Sequence, residues 1–600
     1  MEEKRMYCNP VTFTDQKRHT NPDPYVLRWC GRYYCYATDE FGVKVSVSED
    51  LVHWEDKGYA IREEKFHHYW APAVIYLQGR FYMYYSNTEV TEEDCHEEHL
   101  KLAVSDQPEG EFIYRKTFFD KFSIDAHPIL WKGRLFMFYS VNDWIGTDEK
   151  VAGTCILLDE MKSPEEFAGS PKAVVLPGLR QEIYAENRFG DGRDWYTIEG
   201  AATVVRGDRF FLLYSANAYV NVDYYVGTAV AQCRGNLCDM VWEKYPKAYS
   251  WHPLLHKNAF VEGTGHNTVT KAPNMVDDWI VYHGRDAKEA LLPEIEQRQM
   301  YIDPLYFDGD ELWCFGPTAK EQEAPALPKL QIRDRVFQEK EILGKGGLFY
   351  QMELWITAKR SHVGARFGIL AAYQDEQNYL EIQIRTGRSE VLSVSVRDGI
   401  RSLSVIDRLP AGFDYTVPHL FRITRSFEEF TVVVDEERES RFVQSGYEED
   451  VEIGIVPYFT EVTLCSLALT QTVTLCGRQL REFGNLYKVS PSEAAEDGLV
   501  SLQGKMCLEQ REGEESYTEM FRFLIMEEEN RIELCKGAEV LTLAKEKAAE
   551  FCLYHMVRGK EERFLIDGQE RKLSRQEKEI TQFTLYGLKI AEYQYTKMEK

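Results

Sequence analysis

One aromatic strand pattern recurs five times in the first half of this 600-residue chain, and it restricts the fold more than anything else in the sequence. It reads Gly31-Arg32-Tyr33-Tyr34-Cys35-Tyr36-Ala37-Thr38, then Gly79-Arg80-Phe81-Tyr82-Met83-Tyr84-Tyr85-Ser86, then Gly133-Arg134-Leu135-Phe136-Met137-Phe138-Tyr139-Ser140. A fourth copy is Asp208-Arg209-Phe210-Phe211-Leu212-Leu213-Tyr214-Ser215, and a weaker fifth is Asp277-Asp278-Trp279-Ile280-Val281-Tyr282-His283. Each is a short turn feeding a run of aromatic and aliphatic residues, as in a strand entering a buried sheet. Repetition at roughly 50 to 70 residues predicts a β-propeller, one sheet per blade. A propeller closes around an axis, so short motifs that precede equivalent strands would converge on one pocket.

The repeats run from about Asn9 to Pro317, and the linker Pro317-Thr318-Ala319-Lys320-Glu321-Gln322-Glu323-Ala324-Pro325 follows them. Beyond it, Phe349-Tyr350-Gln351-Met352-Glu353-Leu354-Trp355-Ile356 and Tyr379-Leu380-Glu381-Ile382-Gln383-Ile384 largely alternate apolar with polar, as half-exposed antiparallel strands do. Val462-Thr463-Leu464-Cys465-Ser466-Leu467-Ala468-Leu469 resembles Phe583-Thr584-Leu585-Tyr586-Gly587-Leu588-Lys589-Ile590. Phe367-Gly368-Ile369-Leu370 likewise resembles Phe521-Arg522-Phe523-Leu524. The expected fold is therefore all-β, a five-bladed β-propeller over 1–318 followed by C-terminal jelly-roll β-sandwich domains. Two tandem sandwiches over 326–472 and 473–600 explain both matches; a single larger sandwich is the alternative.

A net charge of −27 argues against nucleic acid as partner, because such binders cluster Lys and Arg. No stretch approaches the roughly 18 consecutive apolar residues of a membrane span. The N-terminus carries no apolar leader, and the 13 cysteines are scattered without a CxxC pair. Reduced core thiols and a cytoplasmic location are the expectation. The run Glu92-Glu93-Asp94-Cys95-His96-Glu97-Glu98-His99 matches no metal motif and reads as a solvated loop.

Three acidic motifs stand just upstream of aromatic strands: Asn21-Pro22-Asp23-Pro24-Tyr25, Ser123-Ile124-Asp125-Ala126-His127-Pro128 and Tyr196-Thr197-Ile198-Glu199-Gly200-Ala201. Each sets one carboxylate among apolar, Pro or Gly neighbours. One alone would read as a turn-forming Asp. Three at equivalent points favour a shared funnel, and paired carboxylates are what glycoside hydrolysis needs.

Here the sequence resembles glycoside hydrolase family 43, five-bladed propellers that cleave arabinose, xylose or galactose from plant polysaccharides. Trp70-Ala71-Pro72 and Gly263-Thr264-Gly265-His266-Asn267 extend the resemblance to the second and fifth blades. Ala201 departs from it, since Pro is commoner there. The resemblance implies Asp23 as general base, Glu199 as general acid and Asp125 as the anion that raises and orients the acid. It places Arg298 on sugar hydroxyls and His266 beside a structural calcium ion, a hydrogen-bonded core histidine being the alternative. Trp70 is a candidate sugar-stacking residue, and His68 and His127 are candidates for the same pocket.

The expected activity is inverting exo-hydrolysis of terminal α-L-arabinofuranosyl or β-D-xylosyl units from short oligosaccharides, with no cofactor for the chemistry. A β-galactosidase of the same family, a retaining fructan-cleaving propeller and an inactive carbohydrate-binding propeller are the alternatives. An appended sandwich is expected to close one side of the funnel. Linkage, chain-length preference and oligomeric state are not legible.

Overall fold

The computed structural model describes residues 5–92, 97–142, 151–292, 295–359, 364–447, 450–490, 492–495, 498–501, 505–510, 516–527, 529–536, 539–543, 549–558, 561–574 and 582–598. Part of the acidic run, 93–96, lies outside them. The regular structure of the described chain is almost wholly strand, with a few 3-10 turns.

Five sheets follow one another over the first 314 residues, antiparallel except for one short parallel pairing in the first and one in the third. Their leading strands are β1 (Tyr25–Trp29), β2 (Phe66–Leu77), β3 (Ser123–Trp131), β4 (Ile198–Arg206) and β5 (Val261–Lys271). Each touches the next, and β5 returns to β1, so the five form a closed ring. The repeated aromatic segments are the second strands, Arg32–Ala37, Arg80–Glu89, Arg134–Asn142, Arg209–Ala216 and Asp278–Asp286.

Packing explains why those strands are apolar without alternation. Side chains along a strand point to opposite faces in turn. Tyr33 and Cys35 enter a core shared with Trp279, Val281 and Ile302 of the fifth sheet. Tyr34 and Tyr36 enter the core shared with Phe81, Met83 and Tyr85 of the second. Leu135 and Met137 pack toward the second sheet, while Phe136 and Phe138 pack toward the fourth. Phe211 and Leu213 then meet Ile280 and Tyr282 of the fifth sheet. Both faces of every sheet are buried, so the pattern loses its polar half. Five cores fill five gaps.

The remaining chain forms two further pairs of sheets. Two six-stranded sheets share a core that includes Tyr350, Leu354, Phe367, Ile382, Phe421 and Ile455. An eight-stranded and a five-stranded sheet share another, with Phe521, Phe523, Phe551, Phe564, Phe583 and Tyr593. The pairing pattern repeats. Phe349–Ala358 lies between His419–Ser426 and Val462–Thr470, as Ser516–Ile525 lies between Glu550–Arg558 and Leu588–Lys597. Arg366–Asp375 lies between Asn378–Arg385 and Glu452–Tyr458, as Arg531–Lys536 lies between Glu539–Leu543 and Gln582–Tyr586. This corrects the sequence alignment by one strand. Ser516–Ile525, which contains Phe521-Arg522-Phe523-Leu524, answers to Phe349–Ala358, not to the strand of Phe367. Both strands are alternating and apolar, so local similarity cannot tell neighbours apart.

These added sheets sit at the far ends of the ring strands. Arg28 pairs with Glu353, Tyr76 donates to the Pro418 carbonyl at 2.8 Å and Arg206 donates to Gln594 at 2.5 Å. A cavity of about 810 Å³ lies in this junction, lined by Trp29, Leu77 and Leu130 with Trp355 and Gln594.

Candidate active site

The ring strands begin at the opposite end, and there the motifs meet. Each motif carries a left-handed residue: Asp23 (φ 51°), Ala71 (φ 38°), Asp125 (φ 58°), Gly200 (φ 62°) and His266 (φ 35°), the last preceded by a left-handed Gly263. Four of the five are not glycine, and such residues hold this strained conformation only where the surroundings over-determine it. On β2 to β5 the ladder register breaks at the same points. Such bulges turn side chains and N–H groups out of the ladder, toward the axis.

The last residue of the aromatic repeat receives the freed N–H groups. Ala71 donates to the Thr38 hydroxyl at 2.9 Å, His266 to the Ser215 hydroxyl at 2.8 Å and Asp23 to His283 Nδ1 at 3.1 Å. Each bond ties the motif of one sheet to the repeat of its neighbour. Gly200 differs, donating at 3.0 Å to Asp125 Oδ2.

Asp23, Asp125 and His266 converge. His266 Nδ1 lies 3.6 Å from Asp23 Oδ1 and 3.9 Å from Asp125 Oδ2. Asp23 Oδ1 also meets Arg298 Nη1 at 3.1 Å and His283 Nδ1 at 3.3 Å, while its Oδ2 accepts the Thr38 hydroxyl at 2.6 Å. Burial alone would raise Asp23, but Arg298, then His266 and His283, outweigh it and hold the carboxyl well below the usual range.

Glu199 goes the other way. Burial and then the charge of Asp23 raise it to about 7, against the hydrogen bond that Tyr224 donates to its Oε1 at 2.8 Å and the charge of Arg298. Asp125 is pushed well above its ordinary value by burial, then by Glu199 and Asp23. Asp125 and Glu199 are neighbouring buried carboxyls that repel one another, and Asp23 disfavours the charge on both. Asp125 also grips the peptide next to Glu199 by accepting the Gly200 N–H.

Glu199 and Arg298 line an open pocket of about 1130 Å³ together with Trp70, His68, Thr38 and Tyr219. Asp23 and Asp125 are only 9% and 5% exposed, and Asp23 reaches the lining through Thr38 and Arg298. Arg298 is not free for a sugar alone: its other nitrogens hold Glu296 at 2.7 and 2.9 Å, and its guanidinium lies 4.5 Å from the Tyr219 ring centre. His127 is outside the lining. It is buried, bonded to Thr203 at 2.9 Å and packed by Tyr25 and Phe138, and burial, then His266, lowers it to about 3. The bulge at Asp125 turns that side chain between sheets.

Tyr224, His283, Thr38 and Glu296 escaped the sequence reading as site residues. Thr38 and His283 were visible as the repeat's terminal positions, whose polar character was the available signal. Tyr224 carried none, although Gly265 answers to it: a Cβ there would fall 2.0 Å from the Tyr224 ring.

A calcium ion beside His266 would meet one imidazole nitrogen and the oxygens of Asp23 and Asp125, several of which are already bonded. Calcium takes six to eight oxygens. The protein oxygens alone fall short of that number, so bound water would have to complete the shell, and no step below needs the ion. The expected closing sandwich is corrected. Every described lining residue of the pocket falls between Pro22 and Arg298, and the C-terminal sheets dock on the ring's other end.

The family model of glycosyl hydrolases family 43 matches residues 8–313. The α-L-arabinofuranosidase 43 of Humicola insolens is 25% identical over 324 residues, 50% of this chain and 63% of that protein. An extracellular exo-α-(1→5)-L-arabinofuranosidase of Streptomyces chartreusis is 25% identical over 47% of this chain and 85% of its own length. Among solved structures, a thermostable family-43 glycoside hydrolase aligns with TM-score 0.45 and 30% identity, over 53% of this chain and 99% of its own. With a family model spanning half its length, the chain belongs to glycosyl hydrolases family 43.

Proposed function

We propose that the chain is an inverting exo-glycosidase releasing terminal α-L-arabinofuranosyl or β-D-xylosyl units from short plant-derived oligosaccharides. In this reading the closed ring of sheets is a five-bladed β-propeller, and 326–472 and 473–600 are two β-sandwiches that support it. One observation carries the proposal: two carboxylates beside one pocket are driven to opposite protonation states. Asp23 stays ionised and serves as general base, drawing a proton from the attacking water. Glu199, near 7, is protonated in much of the population at neutral pH and hands its proton to the leaving oxygen. Asp125 positions Glu199 through Gly200. Arg298 keeps Asp23 charged and faces the sugar, and Trp70 offers it an apolar face.

Both named relatives are arabinofuranosidases, which favours arabinofuranosides as the first substrates to test. The test is hydrolysis of arabino-, xylo- and galacto-oligosaccharides by wild type, Asp23→Asn and Glu199→Gln, with NMR of the first-released anomer. Inversion of the anomeric centre supports the proposal. Retention, or full activity of Glu199→Gln on a natural oligosaccharide, overturns it. Inversion requires the two carboxyl groups to be roughly 6.5–9.5 Å apart, leaving room for the water.

A structural calcium near His266 is a separate proposal from the family resemblance, decided by metal analysis of the purified protein. The cytoplasm is likewise a proposal, supported by 11 described cysteines that are all free thiols and decided by cell fractionation.

A further inference from the structure

A second constellation sits at the rim of the same pocket, and the proposed hydrolysis does not use it. Among the described residues, Glu40, His67 and His68 are the one group whose donor atoms all lie within 4.8 Å of one another. His68 Nδ1 is 2.8 Å from Glu40 Oε2, and His67 Nδ1 is 3.4 Å from Glu40 Oε1.

The backbone is shaped to bring these groups together. Consecutive residues of a regular strand point to opposite faces. His67 and His68 do not: His68 is left-handed at φ 54°, the ladder register breaks between His67 and Trp70, and the two rings lie 4.0 Å apart. Glu40 is held against them through the main chain. The His68 N–H donates to the Glu40 carbonyl at 2.9 Å, and Asp39 and Tyr69 exchange two N–H bonds at 3.0 and 3.2 Å. The segments bearing the three donors are thus pinned before any ion arrives, the preorganisation a metal site requires.

The geometry points to a divalent transition-metal site, of the zinc class, formed by Glu40, His67 and His68 at the mouth of the sugar pocket. Two imidazoles and one carboxylate suit zinc, nickel or copper and do not suit calcium or magnesium, which want oxygen. Three protein ligands leave a coordination position open. Glu40 and His68 themselves line the pocket with Trp70, so that position faces the space the sugar enters. An ion held there changes how substrate enters and is held, and it touches neither Asp23 nor Glu199.

Equilibrium dialysis of the full chain against zinc chloride tests this, with bound metal counted directly. The chain has 14 histidines and 13 cysteines, so the reading is the difference between proteins rather than the total. Wild type should bind one equivalent more than His67→Ala/His68→Ala. Glu40→Gln, an exposed and nearly isosteric change that spares the fold, should bind that equivalent at least about tenfold more weakly. Calcium chloride in place of zinc should show no difference between the proteins. Equal zinc stoichiometry and affinity in wild type and Glu40→Gln overturns the site. A calcium difference of one equivalent overturns its assigned chemistry.

Discussion

Two regions of this molecule bury carboxylates and histidines together, and they do so to opposite ends. At the ring axis, Asp23 and Asp125 face His266 across gaps of 3.6 and 3.9 Å, and Glu199 and Arg298 open onto a pocket. In the core of the last sheets, His555 is bonded on both ring nitrogens, by Glu519 at 2.9 Å and Glu562 at 2.7 Å. Glu519 also accepts the Tyr487 hydroxyl at 2.6 Å and the Tyr593 hydroxyl at 2.5 Å. That cluster is closed, and His555 is fully buried. A perturbed ionisable group is thus no proof of chemistry. Unfilled hydrogen-bonding capacity beside an open space is the better sign.

The largest expected effects break the comparison outright. Asp23→Asn or Glu199→Gln should cut turnover of a natural oligosaccharide by ~10²–10⁴-fold, Glu199→Gln with little change in the urea midpoint and Asp23→Asn with a lower one, because it removes the charge paired with Arg298. His555→Ala should do the reverse. It strips the counter-charge from two buried carboxylates and should cost about 3–5 kcal/mol in urea unfolding, while folded protein keeps its turnover. If His555→Ala abolished catalysis in folded protein, the two regions would not be separate.

Smaller effects sharpen it. Glu199 must carry its proton, so kcat/KM should fall as pH rises through about 7, while the acid limb set by Asp23 should lie far lower. Tyr224 lowers Glu199, so Tyr224→Phe should move the basic limb to higher pH. The smallest effect is on stability. Burial opposes the charge on His555, but its bonds to Glu519 and Glu562 win, and its folded value is raised. A raised value contributes stability that is fully present below the unfolded imidazole's value of about 6.5 and is lost as pH climbs through the folded one. Unfolding followed from pH 6 to 9 should show a steeper decline in wild type than in His555→Ala, which keeps only the part set by raised carboxyls such as those of Glu199 and Asp125.

The comparison also separates what was legible. Asp23, Asp125 and Glu199 stood out because each is an acid in an apolar setting at an equivalent point of a repeat, and the aromatic runs disclosed sheets buried on both faces. Tyr224, Glu296 and the receiving role of His283 did not, since Tyr224 meets Glu199 from 25 residues away and His283 meets Asp23 from 260. His127 shares a motif with Asp125 yet turns between sheets, because the bulge and not the spacing decides where it points.

By itself the sequence determined the all-β class, the five repeats and the three acids, all of which rest on local periodicity and residue type. Tertiary structure alone decided which acid keeps its proton, because that depends on burial and on Arg298 lying beside Asp23 across 275 residues. It alone placed the C-terminal sheets on the end of the ring away from the pocket, because docking is settled by which strand ends carry complementary partners. It alone brought His67 and His68 to one side against Glu40, because a single left-handed residue reverses the alternation that a strand would otherwise impose.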